Sequence, residues 1–269
     1  MDAGTPRLGV GIGWRREIDL TVERLDVDFV ECVAEDVDPR RLPESLSLIR
    51  ERGLPVLPHA VSLSLAGAEP LDTERVRHLA RVATAFDAPL VSDHVAFTRA
   101  GQWEAGHILP PPRTSESLDV LVDNVRQAQE LLPVPLALEH VAALVEWPDA
   151  EFTEAEFLAR LVERTGCGLI LDVANLHANA HNLGTDPEEF LDTVPLDRIA
   201  YVHVGGGTWQ DGIYHDTHAH PVVPEVLDLL ARLHARTSPP GVMLERDDRY
   251  PSDDELAAEL AAIRAAIAR

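Results

Sequence analysis

Gly168–Leu176 reads GLILDVANL: four residues of apolar strand that end in the carboxylate of Asp172. An uninterrupted apolar run suits a parallel strand covered on both faces by helices. A carboxylate closing such a run is costly unless it is paired or bound to a metal. The same form recurs upstream in Leu136–Val141 (LALEHV, ending on Glu139) and downstream in Gly241–Arg246 (GVMLER, ending on Glu245). Further apolar strands are expected at Leu8–Gly13, Asp28–Glu35, Val56–Leu63, Pro89–Phe97 and Ile199–Gly205. Helical periodicity and capping residues place helices between them, over Ile18–Leu25, Pro43–Arg52, Asp72–Phe86, Thr114–Leu132, Thr153–Arg164, Asp186–Thr193, Pro221–Ala235 and Ser252–Ala268. Eight strand–helix units predict an α/β fold, a (β/α)8 TIM barrel formed as one domain over residues 1–269. Thr98–Arg113, with its run of three prolines, is expected to be a long loop. A doubly wound sheet fits less well, because no G-x-G-x-x-G turn opens a helix.

Active sites of such barrels lie at the strand C-termini. There the sequence offers His59, Asp93, His94, Glu139, His140, Asp172, Asn175, His203 and Glu245, and the loop after the seventh strand adds Asp216 and His218. Asp216 and His218, two apart, project to one side of an extended segment. So many imidazoles and carboxylates exceed one four-ligand zinc site and suit two or three ions of iron, manganese or zinc. His215 and His220 alternate away from that pair. His177 and His181 are as well explained by loop hydrogen bonds, and His78 and His234 by solvated helix faces. His107 reads as a loop histidine, and Cys32 and Cys167 as small core residues. One of Glu31 and Glu35 faces the barrel interior, with the choice left open. Trp103, Trp147 and Trp209 fall in loops on or beside the catalytic side, as anchors or peptide contacts.

Composition excludes several classes. The 269 residues carry 23 basic and 46 acidic side chains, a formal charge of −23, and every basic residue is arginine. A chain so acidic lacks the cations that displace counterions from nucleic acid or an anionic membrane. No apolar run approaches the ~18 residues of a membrane span. The N-terminus shows no secretory signal, and two cysteines make no disulfide framework, so a cytoplasmic location is expected.

The ligand order His59, His94, Glu139, Asp172/Asn175, His203, Asp216/His218, Glu245 resembles that of the xylose-isomerase and endonuclease-IV superfamily of barrels. The words LPHAVSLSLAG (57–67), VSDHVAF (91–97), ILPPPRTSESL (108–118), TGCGLILDVANLHANAHNLG (165–184), YVHVGGG (201–207), HDTHAHPV (215–222) and LERDDRYPSDDELAAEL (244–260) carry a closer likeness. From about Leu8 onward the chain resembles the multinuclear non-haem iron-dependent oxidative enzymes of the methanobactin-biosynthesis type. The resemblance implies a xylose-isomerase-like barrel holding two or three irons, mixed Fe(II)/Fe(III), with dioxygen as co-substrate. Its metal ligands would be His59, His94, Glu139, Asp172, His203, Asp216, His218 and Glu245, with Asn175 a ninth. It implies an oxidoreductase that modifies a Cys, Asp/Asn or C-terminal residue of a ribosomal precursor peptide, helped by a small leader-recognising partner protein. Asp93 and His140 depart from the family's usual Glu and Asn and flank ligands, so they are assigned catalytic positions. Ala174 departs from an Asn. The rival reading is a non-redox divalent-metal hydrolase or isomerase of the same superfamily.

Overall fold

A computed structural model describes residues 7–269. Residues 1–6, on which the absence of a secretory signal partly rests, lie outside them. Eight parallel strands form the barrel: β1 (Gly9–Trp14), β2 (Phe29–Val33), β3 (Val56–His59), β4 (Val91–His94), β5 (Leu136–Glu139), β6 (Gly168–Asp172), β7 (Ile199–Val204) and β8 (Gly241–Leu244). They pair in the order β1-β8-β7-β6-β5-β4-β3-β2 and close on β1. The helices are α1 (Asp19–Arg24), α2 (Glu44–Glu51), α3 (Thr73–Phe86), α4 (Ser115–Leu131), α5 (Glu154–Thr165), α6 (Val173–Leu183), α7 (Pro187–Thr193), α8 (Pro224–Arg236) and α9 (Asp253–Ile267). The predicted (β/α)8 barrel is therefore the observed one. No helix among the described residues is long and apolar enough to cross a membrane.

Two elements correct the sequence reading. The expected strand 168–176 ends at Asp172, where α6 begins at once. Asp172 is the cause: its carboxylate accepts from the N–H groups of Ala174 and Asn175, capping the helix that Val173 opens. Gly184 ends α6 in the left-handed conformation that glycine adopts without steric cost. The expected loop 98–113 contains an antiparallel hairpin, Phe97–Ala100 with Trp103–Leu109, and its prolines begin only after the second strand. A second short hairpin pairs Thr208–Gln210 with Ile213–His215.

Alternation along the strands builds the interior in two layers. Phe29, Leu57, Ala137, Ile170, Tyr201 and Met243, with Leu8 and Leu90, form an apolar cluster inside the barrel. Two residues further along the same strands stand Glu31, His59, Glu139, Asp172, His203 and Glu245, all buried. Side chains of the other parity join the larger core between sheet and helices. Gly11 makes room for the lower layer: a Cβ there would stand 2.6 Å from the Phe29 ring. The apolar floor thus fixes the height at which the polar layer sits.

Candidate metal centre

The upper layer is a continuous row of ligand atoms. Four groupings have their donor atoms mutually within 4.8 Å: His59–His94–Glu139; Glu139–Asp172–His203–Glu245; Asp172–Asp216–His218; and His218–Glu245–Asp247. Neighbouring groupings share Glu139, then Asp172. Strand register brings these residues together, since His94 lies opposite Glu139 and Asp172 opposite His203.

Glu139 Oε2 is the focus. It lies 3.7 Å from His59 Nε2, 3.5 Å from His94 Nε2 and 3.3 Å from His203 Nδ1. His203 Nδ1 is also 3.2 Å from Glu245 Oε2. Two atoms each about 2.1 Å from one ion sit about 3–3.5 Å apart, so most of these spacings are those of ligands around a shared cation. Glu139 Oε2, Asp172 Oδ2, His203 Nδ1 and Asp216 Oδ1 are buried and have no hydrogen-bond partner. Unpaired buried acceptors are expensive, and cations in the row would satisfy all four. By donor chemistry and by geometry the residues fit metal.

His59, His94 and His203 each offer one nitrogen to the row and His218 directs one toward each of its two groupings, while His59, His203 and His218 also meet a hydrogen-bonding side chain. His59 Nδ1 is 2.9 Å from Ser92 Oγ, which is itself 2.9 Å from the Tyr201 hydroxyl. Tyr201 donates to Glu31 Oε2, and that oxygen lies 2.9 Å from His203 Nε2. His218 directs Nε2 at Asp216 Oδ2, 2.8 Å away, and Nδ1 at Asp247 Oδ2, 3.1 Å away. Such supports set which ring nitrogen carries the proton and which is free to ligate. Two local features seat His218. Its φ is +50°, a conformation a non-glycine residue holds only where its surroundings enforce it. Gly205 leaves the space for its ring, since a Cβ there would lie 2.5 Å from His218 Cδ2.

The electrostatics follow from burial and crowding. Burial pushes the Glu139 carboxyl up, but His203, His94 and His59 overcome it and hold it at about 2. Burial, then Asp216 and Glu139, raise Asp172 to about 7. Burial disfavours the charged rings of His203 and His218. The carboxylates of Glu139, Glu31 and Glu245 nonetheless lift His203 well above the ordinary imidazole range, and Asp216 and Glu245 do the same for His218. Glu245 is held low, against burial, by His218, His203 and Arg15.

Eight of the eleven residues singled out in the sequence have donor atoms in the row: His59, His94, Glu139, Asp172, His203, Asp216, His218 and Glu245. Asn175 stands beside it, with Nδ2 donating to Glu139 Oε1 at 3.3 Å and to the His140 carbonyl at 2.9 Å. Asp93 and His140, of opposite strand parity, do not join it. Asp93 accepts from the backbone N–H groups of Leu63 and His94. His140 sits behind β5, its Nε2 3.0 Å from the Asp172 carbonyl and its ring beside Phe190. The interior glutamate of β2 is Glu31; Glu35 instead holds Ser62 and the Val61 N–H at the surface. Glu35 has the same parity as Glu31, but β2 ends at Val33 and Glu35 falls in the 3-10 turn that follows, so the end of the strand separates the two. Arg15 and Asp247 went unread, since neither belongs to an apolar strand that ends in a donor. His177 and His181 stack with Trp209 and Tyr214 rather than entering the row.

Barrel and donor row together define a TIM barrel with a candidate multi-ion metal centre. The chain belongs to the family described as RiPP precursor modification enzyme MbnB/TglH/ChrH, whose model matches residues 9–268. A UPF0276 protein of Streptomyces avermitilis is 56% identical over 265 residues, covering 96% of this chain and 54% of the relative. The chain thus spans about half of that relative's length. A UPF0276 protein of Caulobacter vibrioides is 37% identical over 262 residues, covering 96% and 93%. Among solved structures, endonuclease IV from Thermus thermophilus superposes with a TM-score of 0.63 at 22% identity, covering 97% and 99% of the two chains. D-Psicose 3-epimerase from Clostridium cellulolyticum gives 0.62 at 13% identity, covering 96% and 99%. These two likenesses concern the fold alone.

Proposed function

We propose that this chain is a multinuclear iron enzyme that uses dioxygen to oxidise a Cys, Asp/Asn or C-terminal residue of a ribosomally made precursor peptide. The observation that carries the reading is the row of buried donors in which Glu139 and Asp172 are each shared by neighbouring groupings. A carboxylate shared in this way can bridge two cations and offset their charge. The donor set, histidine and carboxylate without thiolate, suits iron. Bound iron would supply redox equivalents and open coordination positions for dioxygen and a substrate thiolate or carboxylate.

The protein's part is to hold these ligands in place. Ser92, Tyr201 and Glu31 orient His59 and His203, and Asn175 braces Glu139. Asp93 and His140, assigned as catalytic from the sequence, would act here as positioning residues: Asp93 fixes the His94 and Leu63 backbone, and His140 backs Asp172. A small leader-recognising protein would deliver the peptide. The family membership supports the peptide substrate. We take residues 1–269 to be one domain, cytoplasmic, with no nucleic-acid or membrane partner.

The test is reconstitution with Fe(II) under anaerobic conditions, elemental analysis, and exposure to air with candidate ribosomal precursor peptides. Two or three irons per chain, oxygen uptake and a mass change on the peptide are expected. Glu139→Ala and His203→Ala should each lose iron and activity. Turnover with zinc, magnesium or manganese under strict anaerobiosis would replace this reading with a non-redox hydrolase or isomerase.

A further inference from the structure

The fourth grouping, His218–Glu245–Asp247, differs from the other three because a guanidinium flanks it and holds both of its carboxylates. Arg15, just beyond the end of β1, has Nη2 3.1 Å from Glu245 Oε1 and 2.6 Å from Asp247 Oδ1. Its Nε donates to Asp247 Oδ1 at 2.8 Å, and its Nη1 to the Trp14 carbonyl at 3.0 Å. The two carboxylates therefore divide their oxygens. Glu245 Oε1 and Asp247 Oδ1 face Arg15. Glu245 Oε2 faces His203 and His218, and Asp247 Oδ2 faces His218 Nδ1.

A neutral imidazole has one lone pair for a metal; its other nitrogen carries the proton. His218 Nε2 points at Asp216 Oδ2 and, 3.9 Å away, at Asp172 Oδ2. If that nitrogen ligates, Nδ1 carries the hydrogen, and Asp247 is the acceptor placed for it. The third and fourth groupings cannot both use His218.

We propose that Arg15 and Asp247 terminate the metal row: Asp247 accepts the His218 Nδ1 proton, Arg15 holds Asp247 and Glu245 in place, and the fourth grouping takes no ion. Both are positioning residues for the ion at Asp172–Asp216–His218. This rests on the metal-bound reading above, though not on iron or dioxygen in particular.

Anaerobic Fe(II) titration, repeated with Zn(II), tests it on the full chain. Asp247→Asn should weaken one ion ten- to a hundredfold, as loss of a ligand's supporting acceptor does, while the number bound at saturation stays that of the wild type. Arg15→Met should weaken the same ion, and Arg15→Lys should recover part of the loss. Circular dichroism and melting of each metal-free variant separate misfolding from a binding effect. A saturating number lower by one in Asp247→Asn, with the other affinities unchanged, would make Asp247 a ligand and overturn the proposal. Unchanged affinities in both Asp247→Asn and Arg15→Met would overturn it as well. A wild type that binds Zn(II) but shows no iron-dependent oxidation sinks only the proposed function; one that takes neither ion sinks both.

Discussion

Asp172 shows how one side chain can serve structure and site at once. One carboxylate oxygen caps α6 while the other is buried and unpartnered in the row. Its folded pKa, about 7, stands above the ordinary 3.8. The fold therefore binds this proton more tightly than the unfolded chain does. The stability it contributes is fully present below about pH 4 and is lost as pH rises toward 7. Across the whole window the shift corresponds to roughly 4 kcal/mol as an upper bound. Asparagine keeps the capping oxygen and carries no charge. Metal-free Asp172→Asn should thus be more stable than the metal-free wild type at pH 8, by about 1–3 kcal/mol, and should bind fewer ions. Urea unfolding of both proteins at pH 5 and pH 8 checks this, with the gap widening at the higher pH. Equal stabilities at pH 8 would refute it. The position of this carboxylate was legible in the sequence, because an acid at the end of GLILD stands out against its apolar neighbours. Its second role was not, because capping depends on where the chain turns.

At the scale of elements, the strands could be read and the loops between them could not. A run such as LALE announces a buried strand by composition alone. Which face each side chain takes needs a reference residue, and parity with Phe29, Ala137 or Tyr201 supplies it. That rule places Asp93 and His140 behind the sheet, whereas Glu31 and Glu35, of like parity, are separated by the end of β2 at Val33. The hairpin 97–109 escaped because its outer strand is mostly exposed and lacks an apolar face. It is fastened by Arg99 to the Ser62 carbonyl and, close to its tip, by Arg75 to Glu104, and Trp103 at its tip is 74% exposed. Exposed tips tolerate replacement when few buried contacts are lost. Trp103→Ser, at that exposed tip, should leave iron stoichiometry unchanged while raising the KM for a peptide substrate several-fold. A loss of iron in that variant would show that the hairpin supports the centre rather than covering it.

Over the whole molecule, the charge of −23 conceals a division. Glu31, Asp93, Glu139, Asp172 and Glu245 are buried, so part of the acidity is a property of the barrel interior rather than of its surface. Burial first, and then the neighbouring carboxylates of Asp216 and Glu139, raise the pKa of Asp172, and cations would relieve the part due to repulsion. The metal-free barrel should therefore be markedly less stable than the loaded one. Ligand linkage gives about 2.7 kcal/mol for one site at a hundredfold excess over Kd. For a domain of this length each kcal/mol moves Tm by about 2 °C, so about 5 °C is expected per ion bound. Melting the protein anaerobically at several Fe(II) concentrations should give a Tm that climbs with the logarithm of free iron and falls back on adding a chelator. Glu139→Ala, which removes the carboxylate shared by two groupings, should flatten that climb more than Asp216→Ala, which touches one. A Tm indifferent to iron in the wild type would mean that the buried carboxylates are held by protons and histidines alone, and that the row is a polar core rather than a metal centre.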